Sequence, residues 1–139
     1  MGHDQRIYRA EDCMRALHGD RRMETIAEVR KYVRDLVAQD WFRRRWPQEM
    51  RFRVRDGRGA YYAYCSSADG RSFALCFPRA TRTEYFVLHE VAHACTWASA
   101  QIDHGQSFRD AVLLLVRRRM GRNAAELLRN EWRTAGLAA

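Results

Sequence analysis

The spacing of apolar residues changes twice along the chain. From Met23 to Asp40, apolar residues recur every three or four positions with charges between them, which predicts an amphipathic helix. The period then falls to two, and segments 51–55, 60–65 and 72–77 are separated by glycine-containing turns. These three segments predict a small antiparallel sheet in which each strand pairs with the next along the chain.

Helical spacing returns after Pro78. Thr81 and Glu84 match a capping box, which predicts a helix beginning there. Gly121 is expected to separate the last two helices. The predicted segments are a helix over 82–100, a link over 101–105, and helices over 106–120 and 123–133.

Two segments give weaker signals. The stretch 7–17 has a mixed pattern that fits a strand turning into a short helix, and 41–47 is predicted to be a connection that stops at Pro47. The order of elements is one helix, three strands and three helices. We therefore expect an α+β fold forming one domain over residues 1–139.

Composition narrows the class of protein. The chain has 139 residues, of which 47% are apolar and 30% charged, as in soluble globular proteins. No apolar run approaches the roughly 20 residues of a membrane span, and the first residues carry charges where a signal peptide needs an apolar stretch. We therefore expect a cytoplasmic protein that makes no membrane contact.

The four cysteines contain no C-x-x-C pair. This argues against a zinc ribbon and a thioredoxin-like motif. They are expected to be reduced, with a disulfide between Cys65 and Cys76 as the alternative, because the two lie on neighbouring predicted strands.

The net charge of +8 is distributed unevenly, and residues 41–58 hold seven arginines against two acidic residues. Such a cluster is typical of proteins that bind nucleic acid or another polyanion. The chain has 24 arginines and one lysine, however, and a GC-rich genome produces the same bias without any phosphate contact. The candidate nucleic-acid contacts are Arg43, Arg44, Arg45, Arg51, Arg53 and Arg55.

The sequence H-E-V-A-H over 89–93 is the motif that carries chemistry. His89 and His93 are one helical turn apart on one face, so both imidazoles can reach one ion, and neutral imidazole suits Zn²⁺. Glu90 is placed beside the metal as a general base for an attacking water.

Because catalytic zinc sites use three protein ligands, a further ligand is needed. His104 is favoured, and Gly105 is expected to let the chain turn there. Asp103 remains open either as that ligand or as a support for a histidine. His3 and His18 are expected at the surface.

The run 89–93 followed by H-G-Q-S-F over 104–108 resembles the SprT-like zinc metallopeptidases, which include the Spartan DNA–protein crosslink proteases. The chain is also similar to small actinobacterial proteins described as HExxH metallohydrolases. The resemblance implies a minimal zincin-like domain with His89, His93 and His104 as zinc ligands and Glu90 as general base. The larger members carry a C-terminal zinc ribbon that is not seen here, so the implied role in DNA repair is left open.

The leading hypothesis is a zinc-dependent hydrolase, specifically a metallopeptidase. A peptide or protein substrate is expected to add as a strand along 72–77 or 60–65, and Tyr61, Tyr62, Tyr64 and Tyr85 are candidates for stabilising the oxyanion. The alternatives are a nucleic-acid-associated protein with structural zinc, its fourth ligand supplied by Asp103 or Cys95, and a regulatory protein of a mobile element with weak activity.

Overall fold

The computed structural model of the chain describes residues 2–99 and 103–138. It has an α+β fold with a three-stranded mixed sheet. The elements are α1 His3–His18, α2 Ile26–Val37, α3 Asp40–Arg45, β1 Arg51–Arg55, β2 Tyr64–Ser66, β3 Ser72–Cys76, a short 3-10 turn Arg79–Thr81, α4 Glu84–Cys95, α5 Gln106–Arg119 and α6 Arg122–Thr134.

The N-terminal segment is a continuous helix of 16 residues, so the prediction of a strand turning into a short helix was wrong. Its buried residues are Ile7, Ala10, Glu11 and Met14, which are spaced as one stripe of a helix, and the helix as a whole packs against α6. Glu11 interrupts the apolar pattern on that stripe. The sequence pattern was ambiguous because a carboxylate occupies a position that normally holds an apolar residue.

The sheet has the strand order β1-β3-β2, with β2 antiparallel and β1 parallel to β3. The predicted antiparallel pairing of consecutive strands is therefore wrong for β1. β3 lies at the centre because it is the most apolar strand, with Phe73 and Leu75 buried against the helices. The turn signals predicted chain reversals correctly, but they contain no information about which edge of β3 each strand joins. β2 covers residues 64–66, so of the predicted segment 60–65 only residues 64 and 65 pair in the sheet.

Helix α4 begins two residues later than the predicted cap. Thr83 is its N-cap and accepts a hydrogen bond from the Phe86 amide at 3.3 Å, whereas Thr81 donates to the Pro78 carbonyl at 2.8 Å within the 3-10 turn. Glu84 accepts a bond from the Tyr32 hydroxyl at 2.5 Å instead of closing a capping box. α4 ends at Cys95, and residues 100–102 of the predicted helix and link lie outside the described residues.

The other helices follow the predicted pattern with small shifts. The predicted helix over 23–40 is α2, the predicted connection 41–47 contains the short helix α3, and Gly121 separates α5 from α6 as expected. α4 packs against β2, β3 and α5, while α6 packs against α5 and α1. One hydrophobic cluster links all of these layers, and the candidate site lies where α1, α4 and α5 meet.

The four cysteines are free, so the alternative of a Cys65–Cys76 disulfide was wrong. In the sheet register Cys65 pairs with Leu75 and Cys76 pairs with Tyr64. Because neighbouring residues of a strand point to opposite faces, the side chains of Cys65 and Cys76 lie on opposite faces of the sheet.

No helix within the described ranges is long and apolar enough to cross a membrane.

Candidate metal centre

His89 and His93 lie one turn apart on α4, as the motif predicts. Their ring centroids are 5.0 Å apart, and both rings face α5. His89 is buried, and His93 is partly buried. Because Thr83 caps α4 and apolar residues surround the motif, the two rings are held at the inner side of the helix.

His104 joins these two rings from the residue pair that precedes α5. Its ring centroid lies 5.2 Å from that of His89 and 4.9 Å from that of His93. The Phe108 ring contacts all three imidazoles, at centroid distances between 4.3 and 4.9 Å. Phe108 is buried, and it forms the floor on which the three rings pack.

The chain turns sharply at His104 itself. Its φ of 58° lies in the left-handed region, which side chains other than glycine adopt rarely, and Gly105 is extended with φ −74°. The prediction that Gly105 makes the turn was therefore wrong. Arg109 donates to the His104 carbonyl at 2.9 Å and His3 donates to it at 3.1 Å. These two hydrogen bonds hold the strained residue, and His3 is half-buried instead of lying free at the surface.

The three histidines lie close enough to bind a metal ion. One ring nitrogen from each of the three is within 4.8 Å of the others. Nδ1 of His89 donates to Glu11 at 2.9 Å and Nδ1 of His104 donates to Asp4 at 3.1 Å, which leaves Nε2 of each ring for a cation. Nε2 of His104 is buried and has no hydrogen-bond partner within the described residues. Since a buried polar nitrogen without a partner is costly, this donor set fits a cation.

Asp103 lies beside the histidines on the other side of the rings. Its carboxylate is 3.5 Å from Nδ1 of His93 and 3.8 Å from Nδ1 of His104, and its side chain is 71% exposed. It therefore approaches the nitrogens that face away from the proposed ligand atoms. Of the two roles left open for Asp103, the geometry favours support of a histidine over ligation.

Glu11 is a site residue that the sequence did not reveal. Its Oε1 accepts hydrogen bonds from Nδ1 of His89 at 2.9 Å and from the Tyr85 hydroxyl at 2.5 Å, and Glu11 is only 3% exposed. Burial and the Glu11 carboxylate raise the pKa of Tyr85. The only available signal was indirect: a charged residue stood at a position of a helical stripe where an apolar one was expected.

Glu90 is also buried, and its Oε2 lies 4.0 Å from Nε2 of His89, the ring nitrogen that is free to bind a cation. Burial raises the pKa of Glu90 to about 7 against the opposing effect of His89. Burial lowers the pKa of His89, but the Glu11 carboxylate outweighs it and the pKa is raised to about 9. Burial and the other two imidazoles lower the pKa of His93 to about 2. The site thus contains a buried carboxyl group, its pKa raised by burial, next to a ring nitrogen that can bind a cation.

A cavity of about 420 Å³ opens beside His89 and Glu90. Its walls are mainly apolar and include Tyr8, Tyr62 and Phe86. Tyr8 contacts the edge of the His104 ring with centroids 5.4 Å apart, and burial together with Asp4 raises the pKa of its phenol to about 12. The cavity therefore gives access from outside to His89 and Glu90.

The tyrosines predicted to stabilise an oxyanion have different positions. Tyr85 is buried and its hydroxyl is bound to Glu11, and Tyr64 pairs opposite Cys76 at the sheet edge. Tyr61 and Tyr62 are strongly exposed, and of these two only Tyr62 lines the cavity among the described residues. Tyr8, which the sequence did not single out, is the second phenol at that cavity.

The six candidate arginines are all exposed. They occupy α3 (Arg43, Arg44, Arg45) and one face of β1 (Arg51, Arg53, Arg55). The β1 set borders a groove of about 710 Å³ on the solvent side of the sheet, and it is separate from the cavity beside Glu90.

Comparison with known proteins does not extend these observations: no family model matches the chain, and no curated protein or solved structure matches it significantly. The assignment of a function therefore depends on the site itself.

Proposed function

We propose that this protein is a zinc-dependent hydrolase that acts as a metallopeptidase. The observation that carries the proposal is the meeting of three histidine nitrogens within 4.8 Å of one another, with the Glu90 carboxylate 4.0 Å from Nε2 of His89. Catalytic zinc sites combine three protein ligands with a nearby carboxylate that does not bind the metal, and the three histidines and Glu90 match this composition.

The choice of zinc rests on the chemistry of the ligands. Imidazole nitrogen binds zinc well, and the geometry of the site is set by α4 and the turn at His104. A structural zinc site would need a fourth protein ligand, for which Asp103 and Cys95 were the candidates. Within the described residues, neither belongs to the group of converging ligand atoms. This supports a site with three protein ligands and one open position.

A bound zinc ion would lower the pKa of water toward about 7 and polarise the scissile carbonyl. The chain's own residues do the rest. Glu90, whose Oε2 lies 4.0 Å from Nε2 of His89, accepts the proton of the attacking water and delivers it to the leaving amine. Tyr8 and Tyr62, at the cavity wall, are the phenols available to donate a hydrogen bond to the developing oxyanion.

A peptide is the substrate class that this surface favours. Two segments were expected to accept a peptide strand, 72–77 and 60–65. The first contains β3, which is paired on both sides and has no free edge for a further strand. β2 is an edge strand next to α4, and Ala63, which precedes it, lines the cavity beside Glu90. A substrate strand added along β2 would bring a side chain into that cavity.

The zincin-like arrangement and the likeness to SprT-like peptidases belong to the same proposal. A helix that carries H-E-x-x-H packs on a small sheet, and the third histidine precedes the next helix. These features support a minimal zincin-like domain with His89, His93 and His104 as ligands and Glu90 as the general base.

The test separates metal binding from catalysis. Wild-type protein is expected to bind one zinc ion and to cleave members of a fluorogenic peptide library. Glu90→Gln should retain zinc and lose hydrolysis, because the amide cannot accept the proton, whereas His89→Ala should lose both. Full activity of zinc-loaded Glu90→Gln on a cleaved peptide would overturn the mechanism.

A second candidate function is binding of a polyanion such as nucleic acid. The specific observation is the outer face of β1, where Arg53 and Arg55 have no carboxylate partner within 4.0 Å in the described part of the chain and Arg51 pairs with Glu49 at 3.3 Å. Ser72 and Ala74 on β3 pair with Arg51 and Arg53, and their small side chains leave space in the groove next to these arginines. Cations without an acidic partner along an open groove are suited to phosphate contacts.

This candidate is tested by the salt dependence of binding to single-stranded and duplex DNA. Replacing both Arg53 and Arg55 by Gln should weaken binding and reduce the slope of log K against log[salt] by about 0.7–0.9 for each phosphate that is no longer neutralised. The matched control replaces Arg117 and Arg122, which are also exposed, and removes the same charge. Equal effects in both double variants would show that only net charge matters.

A further inference from the structure

Helix α1 brings two carboxylates to two of the three histidines. Glu11 accepts from Nδ1 of His89 at 2.9 Å, and Asp4 accepts from Nδ1 of His104 at 3.1 Å. Asp4 and Glu11 are seven residues apart and therefore lie on the same face of α1, about two turns from each other. His3, on the first turn, also donates to the His104 carbonyl at 3.1 Å. Together with the contact of the Tyr8 ring on His104, the helix thus contacts the site at four places.

The burial of Glu11 needs an explanation beyond stability. Its side chain is 4% exposed, and in the part of the chain that the structure describes no lysine or arginine nitrogen lies within 4.0 Å of it. A buried carboxylate is costly unless it is paired and hydrogen-bonded, and an apolar side chain at this position of α1 would avoid that cost. Its two hydrogen-bond donors are the buried Tyr85 hydroxyl and Nδ1 of His89, so Glu11 fixes the orientation of a proposed metal ligand.

We infer that α1 is part of the metal centre, in which Glu11 is a positioning residue that holds the His89 ring with Nε2 toward the cation, and Asp4 does the same for His104. The inference rests on the proposed zinc site. A carboxylate on Nδ1 fixes the tautomer and strengthens Nε2 as a ligand. Glu11 has the larger effect, because it is buried, whereas the Asp4 side chain is 55% exposed and water competes for its hydrogen bond.

A consequence is reciprocal coupling between the docking of α1 and metal binding. If the docked helix strengthens binding of the cation, the cation strengthens docking of the helix by the same factor. The N-terminal helix is then required for the site although it lies some 70 residues before the H-E-x-x-H motif in the sequence.

The experiment compares zinc affinity among variants of α1, measured by competition with a chromophoric chelator. Glu11→Gln keeps the size of the side chain and removes its charge, and we expect it to weaken zinc binding by roughly 10- to 100-fold. Asp4→Asn should weaken binding by a smaller factor. The matched control is Asp12→Asn on the same helix, where the side chain is 72% exposed and pairs only with Arg15 among the described residues; its zinc affinity should equal that of the wild type.

A second measurement distinguishes positioning from simple loss of stability. The absorption spectrum of the Co²⁺-loaded protein reports the ligand field, so it should change in Glu11→Gln and remain unchanged in Asp12→Asn. Amide exchange in α1 should slow when zinc is added to the wild type and slow less in Glu11→Gln. If Glu11→Gln does not fold, the comparison of Asp4→Asn with Asp12→Asn makes the same test.

The outcomes separate this inference from the function on which it rests. A wild-type chain that binds no zinc would refute the proposed metal site. A wild-type chain that binds zinc, with Glu11→Gln or Asp4→Asn equal to Asp12→Asn in affinity and in cobalt spectrum, would refute only the role of α1.

Discussion

At the scale of single residues, the site depends on a backbone conformation that is normally avoided. His104 has a φ of 58°, and a left-handed conformation costs a residue with a side chain roughly 1–2 kcal/mol. Arg109, whose guanidinium is buried and also bound to the Ala138 carbonyl, stabilises this turn through the His104 carbonyl. The strain is retained because it turns the imidazole toward the other two.

The first prediction decides between His104 and Asp103 as the third ligand. His104→Ala is expected to abolish tight zinc binding, because only two imidazoles remain. Asp103→Asn should keep one zinc ion per chain with a modest loss of affinity, because its carboxylate lies 3.5 Å from Nδ1 of His93 and is largely exposed. Metal content after dialysis measures both. The reverse ranking would make Asp103 the ligand.

At the scale of elements, the loop that follows β1 shows why the sheet is mixed. The Phe77 amide donates to the Arg55 carbonyl at 3.0 Å, which extends the parallel pairing beyond the strand ends. Gly57 lies against Pro78, and a Cβ at Gly57 would be 2.7 Å from the proline ring. After β1 the chain crosses over the C-terminal end of β3. It then returns as β2, which pairs with the side of β3 that β1 does not occupy. A tight hairpin between β1 and the next strand is therefore not formed.

The second prediction concerns this crossing. Gly57 and Gly59 both have positive φ, so alanine at either position carries the same conformational penalty of about 1–2 kcal/mol. Only Gly57→Ala adds a clash, because no atom lies within 4 Å of a Cβ built at Gly59. Gly57→Ala should therefore lower the free energy of unfolding by roughly 1 kcal/mol or more beyond Gly59→Ala in urea denaturation. Equal losses would show that the loop moves aside without cost.

At the scale of the whole molecule, the two ends of the chain meet beside the site. α1 packs against α6, Arg6 donates to the Ala135 carbonyl at 3.0 Å, and Arg109 binds the Ala138 carbonyl. The proposed metal ligands lie where these terminal elements meet α4 and α5. A cation bound there would join α4 to the start of α5 through its three ligands, and α1 is tied to two of those ligands by Glu11 and Asp4, so its removal should affect global stability.

The third prediction is a change of Tm with metal. Zinc at about one hundred times its Kd should stabilise the folded chain by about 2.7 kcal/mol. For a chain of this size that corresponds to a rise in Tm on the order of 10 °C. Chelation should reverse the rise, Glu90→Gln should show it in full, and His93→Ala should lack it. A Tm that is unaffected by zinc in the wild type would contradict specific binding to the folded state.

The sequence alone determined the parts that depend on local spacing. Apolar residues at helical intervals predicted α2, α5 and α6, and the four-residue spacing of His89 and His93 placed both rings on one face because helix geometry requires it. The resemblance of the segment H-G-Q-S-F to a known family implied His104 as the third ligand, and His104 does lie with the other two. Local chemistry was sufficient for these elements because a helical turn is completed within a few residues.

Only the tertiary structure decided what depends on contacts between distant segments. The strand order followed from burial of the most apolar strand, and the positions of Glu11 and Asp4 against histidines 78 and 100 residues away followed from the packing of α1. Glu11 also explains why a strand was predicted at the start of the stretch 7–17, which is helical throughout. A carboxylate on the buried stripe of a helix weakens the apolar period from which the helix is predicted. The local pattern was therefore least clear at the residue that contacts His89, 78 positions away in the sequence.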